Sequence, residues 1–192
     1  MMTKTLVAAF AGAVALTSLG TAQAAEYAVD PTHTNIIWEA PHFGTSTNRG
    51  RFDKKSGSVQ FDRAAKTGKV ELTIDLTSLN TGVPALDKHM LGEDFFDAAK
   101  TPNAVFKGDK FSFNGDKVTE VSGQLTLRGK THPLTLKAIR FNCYDNPFMK
   151  REVCGGDFEA TIKRSLFGVN WGLNMGVPDD TKVVIQVEAV KQ

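Results

Sequence analysis

Two cysteines, Cys143 and Cys154, are the residues of this chain whose type and spacing point most directly to chemistry. In a reducing compartment two such residues are usually separate thiols, whereas in an oxidising compartment they can join as a disulfide. A disulfide needs the two residues to face each other across neighbouring segments of backbone. The residues that flank the cysteines therefore decide between the two readings.

The flanking residues favour the disulfide, because one antiparallel register of segments 135–143 and 154–162 pairs several residues favourably. It joins opposite charges on one face and apolar side chains on the other. The predicted cross-strand pairs are Cys143 with Cys154, Ile139 with Phe158, and Arg140 with Asp157. We therefore predict a disulfide inside a β-hairpin, and such a short closed loop stabilises the fold by about 3 kcal/mol.

Other side chains that could do chemistry are better explained by local structure. Asp30, His33 and His42 are of types that bind transition metals, but Asp30-Pro31-x-His33 is typical of a turn with side-chain hydrogen bonds. Asp94 and Asp97 flank Phe95-Phe96 and are expected to cap short turns. The sequence contains neither a nucleophile elbow nor a zinc-protease motif. We expect no metal, no cofactor and no enzymatic activity.

The N-terminus has the pattern of a signal peptide. Lys4 precedes an apolar run from Leu6 to Leu16, and Ala22-Gln23-Ala24 is a small–x–small cleavage site. The run is too short to span a bilayer, which takes about 20 apolar residues. We predict a signal peptide at residues 1–24, one domain at residues 25–192 and a periplasmic location; secretion to the medium is the alternative.

Charge and hydropathy limit the classes of partner that the exported domain can bind. The full chain has 23 Lys and Arg against 21 Asp and Glu, and these charges are scattered along it. Nucleic-acid binding usually needs a basic stripe, so we expect no nucleic-acid partner. After residue 24 no apolar run is long enough to span a membrane. A monomer and a homodimer are both compatible with the sequence.

The exported domain has the alternating pattern of β-strands. Ile36, Trp38 and Ala40 form one alternating set, and about eight or nine such runs favour a barrel or a sandwich. Asn114-Gly115 and Gly129-Lys130 are predicted hairpin turns, and the second would place Leu125 opposite Leu134. Alternation slips between Val118 and Val121 and between Leu136 and Ile139, as β-bulges would cause.

One segment interrupts the strand pattern. Residues 84–97, from Pro84 to Asp97, favour one or two short helical turns, and Arg164 to Trp171 could add another. The first segment carries apolar residues that must be buried, namely Leu86, Met90, Leu91, Phe95 and Phe96. We predict that it covers one end of the sheet as a lid or plug.

Phenylalanine is unusually frequent: the chain has 13 Phe against 2 Tyr and 2 Trp, and only Phe10 lies before residue 25. Phe fills apolar volume without needing a hydrogen-bond partner. In a small barrel, such inward side chains either fill the lumen or line a ligand cavity. Composition alone leaves both readings open.

Four groups of residues together resemble the YceI-like polyisoprenoid-binding proteins, and they follow one another across the whole of residues 25–192. The four groups are Asp30-x-x-His33-Thr34-x-Ile36; Leu91-x-x-x-Phe95-Phe96-Asp97 with Thr101-Pro102-x-Ala104-x-Phe106; Gly123-x-Leu125-x-Leu127-x-Gly129-x-Thr131 with Leu134 and Leu136; and Arg164-Ser165-x-Phe167-Gly168.

The resemblance implies a mainly β, lipocalin-like antiparallel barrel of about eight strands with a short helical lid. It also implies that the lumen binds an isoprenoid lipid such as a polyprenyl phosphate or a prenylated quinone. We hypothesise that His33 and Arg164 meet the headgroup at the mouth. Residues expected to line the cavity around the tail are Trp38, Phe95, Phe96, Phe106, Phe141, Phe158 and Phe167.

Two other functions stay open at this point. The first is a secreted stress or interaction protein whose barrel is filled by side chains. The second is an enzyme of quinone or lipid chemistry, which would need a cluster of polar groups in the cavity. The volume of the lumen distinguishes the first of these from a lipid carrier.

Overall fold

A computed structural model describes residues 24–192, so the predicted signal peptide lies outside the described residues except for Ala24. The described chain is mainly β, with one short helix, α1, at Pro84–Leu91. The strands are β1 Ala25–Val29, β2 Asn35–His42, β3 Ser46–Phe52, β4 Lys55–Asp62, β5 Thr67–Asp75, β6 Leu79–Asn80, β7 Asn103–Asn114, β8 Lys117–Leu127, β9 Lys130–Asn146, β10 Arg151–Lys163 and β11 Asp180–Lys191. Single 3₁₀ turns occupy Leu76–Ser78, Arg164–Phe167 and Leu173–Met175.

These strands form a closed barrel with antiparallel pairing throughout. β11 pairs with β1 near one end and with β2 near the other, so β1 and β2 share one position in the wall. β4 and β3 likewise share the next position, because β4 pairs with β1 and β3 pairs with β2. Counted in this way the wall has eight positions, which confirms the predicted barrel and excludes a sandwich.

Turn chemistry differs from the prediction at two hairpins. Asn114 pairs with Lys117, so the first turn is Gly115-Asp116 and lies one residue later than predicted. The second turn is Arg128-Gly129, and both residues have positive φ, 51° and 72°. Leu125 therefore faces His132 and not Leu134. Arginine rarely takes this conformation, but here the Arg128 guanidinium donates to the main-chain carbonyl of Phe95 across the barrel end.

The hairpin of β9 and β10 confirms the predicted disulfide between Cys143 and Cys154, which face each other. Arg140 also faces Asp157 and forms an ion pair with it, as predicted. The third predicted pair is wrong, because Phe158 faces Ala138 and Ile139 is 61% exposed. A bulge inserts one extra residue into β9 at this point and turns Ile139 outward. The two predicted breaks in alternation, at 118–121 and 136–139, both coincide with shifts in the register of strand pairing.

The segment from Pro84 to Asp97 covers one end of the barrel, as predicted. Proline opens α1 where no helical N–H is required, and the Asp87 carboxylate accepts hydrogen bonds from the N–H and hydroxyl of Thr81, both 2.7 Å long. Met90 is buried in the core. Leu86, Leu91, Phe95 and Phe96 pack against that core from the same side. No helix within residues 24–192 is long and apolar enough to cross a membrane.

Candidate functional site

The barrel interior is apolar and contains empty space. An upper cavity of about 250 Å³ lies under α1. Its wall is made by side chains that alternate inward on the strands, and its cover by the lid; they include Ile36, Trp38, Phe52, Ile74, Met90, Phe95, Phe96, Leu127 and Val183. A lower cavity of about 90 Å³ lies deeper in the barrel. A barrel filled by its own side chains would leave no such space, so side chains do not completely fill the lumen.

The two cavities lie end to end with a shared partition. Four residues contribute to the lining of both: Leu72, Phe106, Leu136 and Ile185. Each is 8% exposed or less, so the partition belongs to the packed core. The lumen is therefore an apolar channel interrupted once by packed side chains.

Inward-facing glycines make room for the aromatic rings of this channel. Gly50 faces Trp38 across β2 and β3, and a Cβ at Gly50 would lie 2.6 Å from the indole Nε1. Gly108 similarly leaves space for Phe106, whose Cε1 would be 3.0 Å from an added Cβ. A Cβ at either position would overlap the neighbouring ring, so each glycine leaves the ring its space beside the wall.

The indole N–H of Trp38 has an unusual environment. Among the buried side-chain polar atoms of residues 24–192, Trp38 Nε1 is the one without a hydrogen-bond partner. The residue is only 6% exposed and lines the upper cavity. A buried N–H without an acceptor is unfavourable by roughly 1–3 kcal/mol. The site therefore offers a donor that a small shift of the ring could present to a ligand oxygen.

Aromatic rings close the mouth of the upper cavity. The ring centroids of His89 and Phe95 are 4.9 Å apart, and each lies 5.4 Å from the Trp171 ring. Phe96 packs edge-on against Phe52 at 5.4 Å, deeper under the lid. Trp171 is 38% exposed, so this cluster is a contact between surface segments and not part of the rigid core. It is the part of the site best suited to open for a ligand.

Arg164 lies at the cavity wall and is 7% exposed. Its guanidinium donates four hydrogen bonds to main-chain carbonyls and is thereby held in place; the acceptors are Pro178, Val169, Trp171 and Val177, at 2.9, 3.1, 2.7 and 3.2 Å. Burial lowers the pKa of Arg164, and the charge of Asp179 opposes this effect. Asp179 itself binds the Ser165 N–H and hydroxyl, at 2.8 and 2.7 Å. Arg164 thus organises the segment that carries Trp171.

The structure places most of the predicted lining residues around the channel. Trp38, Phe95 and Phe96 line the upper cavity, Phe106 the partition, and Phe141 and Phe158 the lower cavity. Phe167 is different: it is buried against the His132 ring, with a centroid distance of 5.1 Å, outside the lining of both cavities. Phe167 therefore belongs to the packed core and not to the cavity lining.

His33, predicted at the mouth, lies elsewhere. It belongs to the connection between β1 and β2 on the outer surface, where its Nδ1 is 2.7 Å from the Asp30 carboxylate. The hydrogen bond and charge of Asp30 raise the pKa of His33, and His33 in turn lowers the pKa of Asp30. The adjacent Thr34 is fully buried, and its hydroxyl donates to the Glu188 carbonyl. This motif therefore fixes the break between two strands and does not line the lumen.

Aromatic and charged residues cluster at the far end of the channel. The Phe61 ring contacts the rings of Phe111, Phe113 and Phe141 at 6.3, 6.1 and 5.7 Å. Next to them, the Tyr27 hydroxyl donates to Glu152 over 2.5 Å. Burial first, and then Glu152, raise the pKa of Tyr27 well above its ordinary value.

Several lining residues were not predicted. Phe52 lies on β3, where the inward positions before it are Asn48 and Gly50, so no run of apolar residues marks that strand. Trp171 lies in a glycine-rich loop, and only its three-dimensional contacts with the lid reveal its place. The alternation of Asn48, Gly50 and Phe52 is the one signal that could have identified β3.

Potential metal ligands within the described part of the chain come together at one place, Cys143, Glu152 and Cys154. Both thiols are joined in the disulfide, and Glu152 is held by Tyr27. These groups are therefore already engaged with one another.

Comparison with known proteins agrees with the fold and the residue pattern. The family model of the YceI-like domain matches residues 27–189. A UPF0312 protein of Pseudomonas aeruginosa is 34% identical over 100% of both chains. The crystal structure of Burkholderia cenocepacia BcnA superposes with a TM-score of 0.69 at 27% identity, covering 83% of this chain and 98% of that one.

A more distant structure shares the fold alone. It is a polyisoprenoid binding domain from Saccharophagus degradans, with a TM-score of 0.61 at 17% identity over 88% of this chain and 100% of that one. The match of the family model over nearly all of the described residues is decisive. The chain belongs to the family of YceI-like domain proteins.

Proposed function

We propose that this protein binds an isoprenoid lipid, with the tail in the barrel lumen, and carries it outside the cytoplasm. The observation that supports this most is the apolar channel of two cavities in line, about 250 and 90 Å³. Burial of the tail stabilises the complex by about 25 cal/mol for each Å² of apolar surface removed from water. Part of this is lost to the ordering of the tail and of the lid.

Membership of the YceI-like family supports the same ligand class. The Saccharophagus degradans protein with the same fold is described as a polyisoprenoid binding domain. An isoprenoid tail is a long chain of methyl-branched units without polar groups, which agrees with a lumen lined by leucine, isoleucine, valine and phenylalanine. The proposal extends that ligand class to the present chain.

The headgroup belongs at the upper cavity, where the polar side chains of the lining are found. Asn48 and His42 lie at the open ends of β2 and β3, His89 lies on α1, and the Trp38 N–H lacks a partner. Four of the five N–H groups of Arg164 are already used on carbonyls, which leaves little for a phosphate. Of the two candidate headgroups, a quinone, whose oxygens accept single hydrogen bonds, fits better than a phosphate.

A carrier role fits the titratable groups of the upper cavity better than catalysis does. Its lining includes His42, His89 and Arg164 and contains no carboxylate among the described residues. General acid–base chemistry usually pairs such groups with an acid or base within hydrogen-bond reach. The Cys143–Cys154 disulfide and the predicted signal peptide favour the periplasm as the place of action.

Extraction of the protein with organic solvent tests this proposal. Protein purified from its native host should yield a prenyl lipid by mass spectrometry, and emptied protein should take one up again. Ala40 lines the upper cavity, so the variant Ala40→Trp should yield much less lipid. Ala64→Trp, on an exposed turn, is the matched control. Protein that carries no prenyl lipid and takes up none when prenyl lipids are added would contradict the proposal.

A further inference from the structure

We propose that the lower cavity is a second binding site, for the distal end of the isoprenoid tail, and that Phe106 is the gate between it and the upper cavity. This inference rests on the proposed function, because it assumes that a tail occupies the upper cavity first. It goes further by assigning chain-length selection to one side chain.

Phe106 is the aromatic member of the partition. It lies on β7 between Leu72 of β5 and Leu125 of β8, and it is 4% exposed. Gly108, the next inward position on β7, carries no side chain, so the ring leans along the strand over its backbone. The ring therefore occupies the passage from one cavity to the other. Rotation about its side-chain bonds would join the two cavities.

The lower cavity suits a hydrocarbon end without polar atoms. Tyr27 is the one hydroxyl-bearing side chain among its described lining residues, and that hydroxyl donates to Glu152. Valine and phenylalanine side chains, among them Val59 and Val121, make up much of the remaining lining. An empty apolar cavity destabilises a protein, and an apolar occupant removes that cost.

The mouth under α1 leads to the lower cavity through the partition. Phe61 and the rings packed on it lie at the far end of the lower cavity, and Phe61 itself is 5% exposed. The mouth under α1 lies at the opposite end, above the partition. A tail that enters at this mouth must therefore pass Phe106 to reach the lower cavity. Short tails should bind in the upper cavity alone, and longer tails should bind only by displacing the ring.

One variant of the gate and one of the lower cavity test this proposal. Phe106→Leu should tighten binding of geranylgeraniol and longer prenyl alcohols about tenfold more than it changes binding of geraniol, because each further buried methylene multiplies affinity about fourfold. Val59→Phe fills the lower cavity and should weaken the longer alcohols about tenfold without changing geraniol. Phe167→Leu removes the same volume from a buried site outside both cavities and is the control.

Thermal unfolding of each variant shows whether it is folded, and Phe106→Met replaces Phe106→Leu if that variant does not fold. A uniform shift of affinity for all chain lengths, or an unchanged dependence on chain length in both variants, would overturn the gate. Absence of binding of every prenyl alcohol to the wild-type protein would instead contradict the proposed function itself. The two failures are therefore distinguishable.

Discussion

The Nη1 atom of Arg164 donates a 2.7 Å hydrogen bond to the main-chain carbonyl of Trp171, and this bond connects the barrel wall to the loop that packs on the lid. Trp171 packs on both His89 and Phe95, so the position of the loop decides how the mouth is covered. Among residues 24–192 the hydrogen-bond acceptors of the Arg164 guanidinium are all backbone oxygens. The presence of Arg164 in the family pattern is therefore explained by the backbone of the loop that it holds.

Replacement of Arg164 by lysine should loosen this loop while keeping the positive charge. An ammonium group cannot reproduce the planar fork, so several buried carbonyls would lose their donor. We expect the free energy of unfolding in urea to fall by about 2–3 kcal/mol. Trp171 should also emit at longer wavelength as its ring becomes more exposed. Lys163→Met, whose side chain is exposed and pairs with Asp180, is the control and should change stability little.

The contact of Trp38 with Gly50 predicts the effect of a single methyl group. A Cβ at position 50 would lie 2.6–2.7 Å from three indole atoms, so Gly50→Ala must push the ring into the upper cavity. Overpacking of this kind reduces the free energy of unfolding by about 1–3 kcal/mol. Ligand affinity should fall as well, because the displaced ring occupies ligand space.

Fluorescence of Trp38, recorded in a Trp171→Phe background, would report the ring movement. The exposed substitution Thr47→Ala on the same strand serves as the control. If Gly50→Ala bound ligand as the parent does and showed unchanged emission, the assigned position of the indole at the cavity wall would be incorrect.

Loss of the disulfide should destabilise the barrel without abolishing the upper cavity. Cys143 and Cys154 are 11 residues apart, and a closed loop of this size stabilises a fold by about 3 kcal/mol in the chain-entropy treatment. The double variant Cys143→Ala, Cys154→Ala should therefore unfold at lower temperature. The reduced wild-type protein should match it. An unchanged melting temperature on reduction would show that the bridge contributes nothing to stability.

The lowered pKa of Glu152 predicts that the protein loses stability in acid. Hydrogen bonding from Tyr27 is the largest cause that lowers the pKa of Glu152, with the charges of Arg63 and Lys191 acting in the same direction and burial opposing them. A carboxyl group with a depressed folded-state pKa stabilises the fold above its unfolded value, near 4.5, and this stabilisation is lost as the pH falls through the folded-state pKa.

The variant Glu152→Gln should be less stable than the wild type at neutral pH, and the difference should shrink as the pH falls below 4.5. Urea unfolding at a series of pH values measures this. Glu93→Gln, which removes an exposed carboxylate paired with Lys100, should show almost no such change. Parallel stability curves for wild type and Glu152→Gln would contradict the assignment.

Features set by side-chain alternation could be predicted from the sequence, whereas those set by single insertions or by backbone atoms could not. Strand alternation and the charge pair of Arg140 with Asp157 correctly indicated a barrel with a disulfide-linked hairpin. The extra residue that turns Ile139 outward leaves a slip in the pattern but does not say which residue is displaced. The register of β8 and β9 differs from the prediction because the turn is Arg128-Gly129, and arginine is not a residue type that indicates positive φ.

The residues of the candidate site also fall into those that the sequence could predict and those that it could not. Its aromatic lining could be predicted because Trp38 and Phe106 lie at inward positions of alternating strands. The role of Arg164 could not, since all four of its acceptors are main-chain oxygens, which every residue possesses. The local spacing of Asp30 and His33 correctly indicated a turn but contains no information about which side of the wall it faces.

Titration with a prenylated quinone, followed by tryptophan fluorescence, tests the central claim most directly. The chain has 2 tryptophans, and both line the upper cavity. A quinone held there should quench their emission, and the quenching should saturate at one ligand per chain. The same quinone without its prenyl tail should produce only weak, unsaturated quenching, because the tail supplies the buried apolar surface. Equal quenching by the two compounds, or none with the prenylated one, would contradict an isoprenoid tail in the lumen.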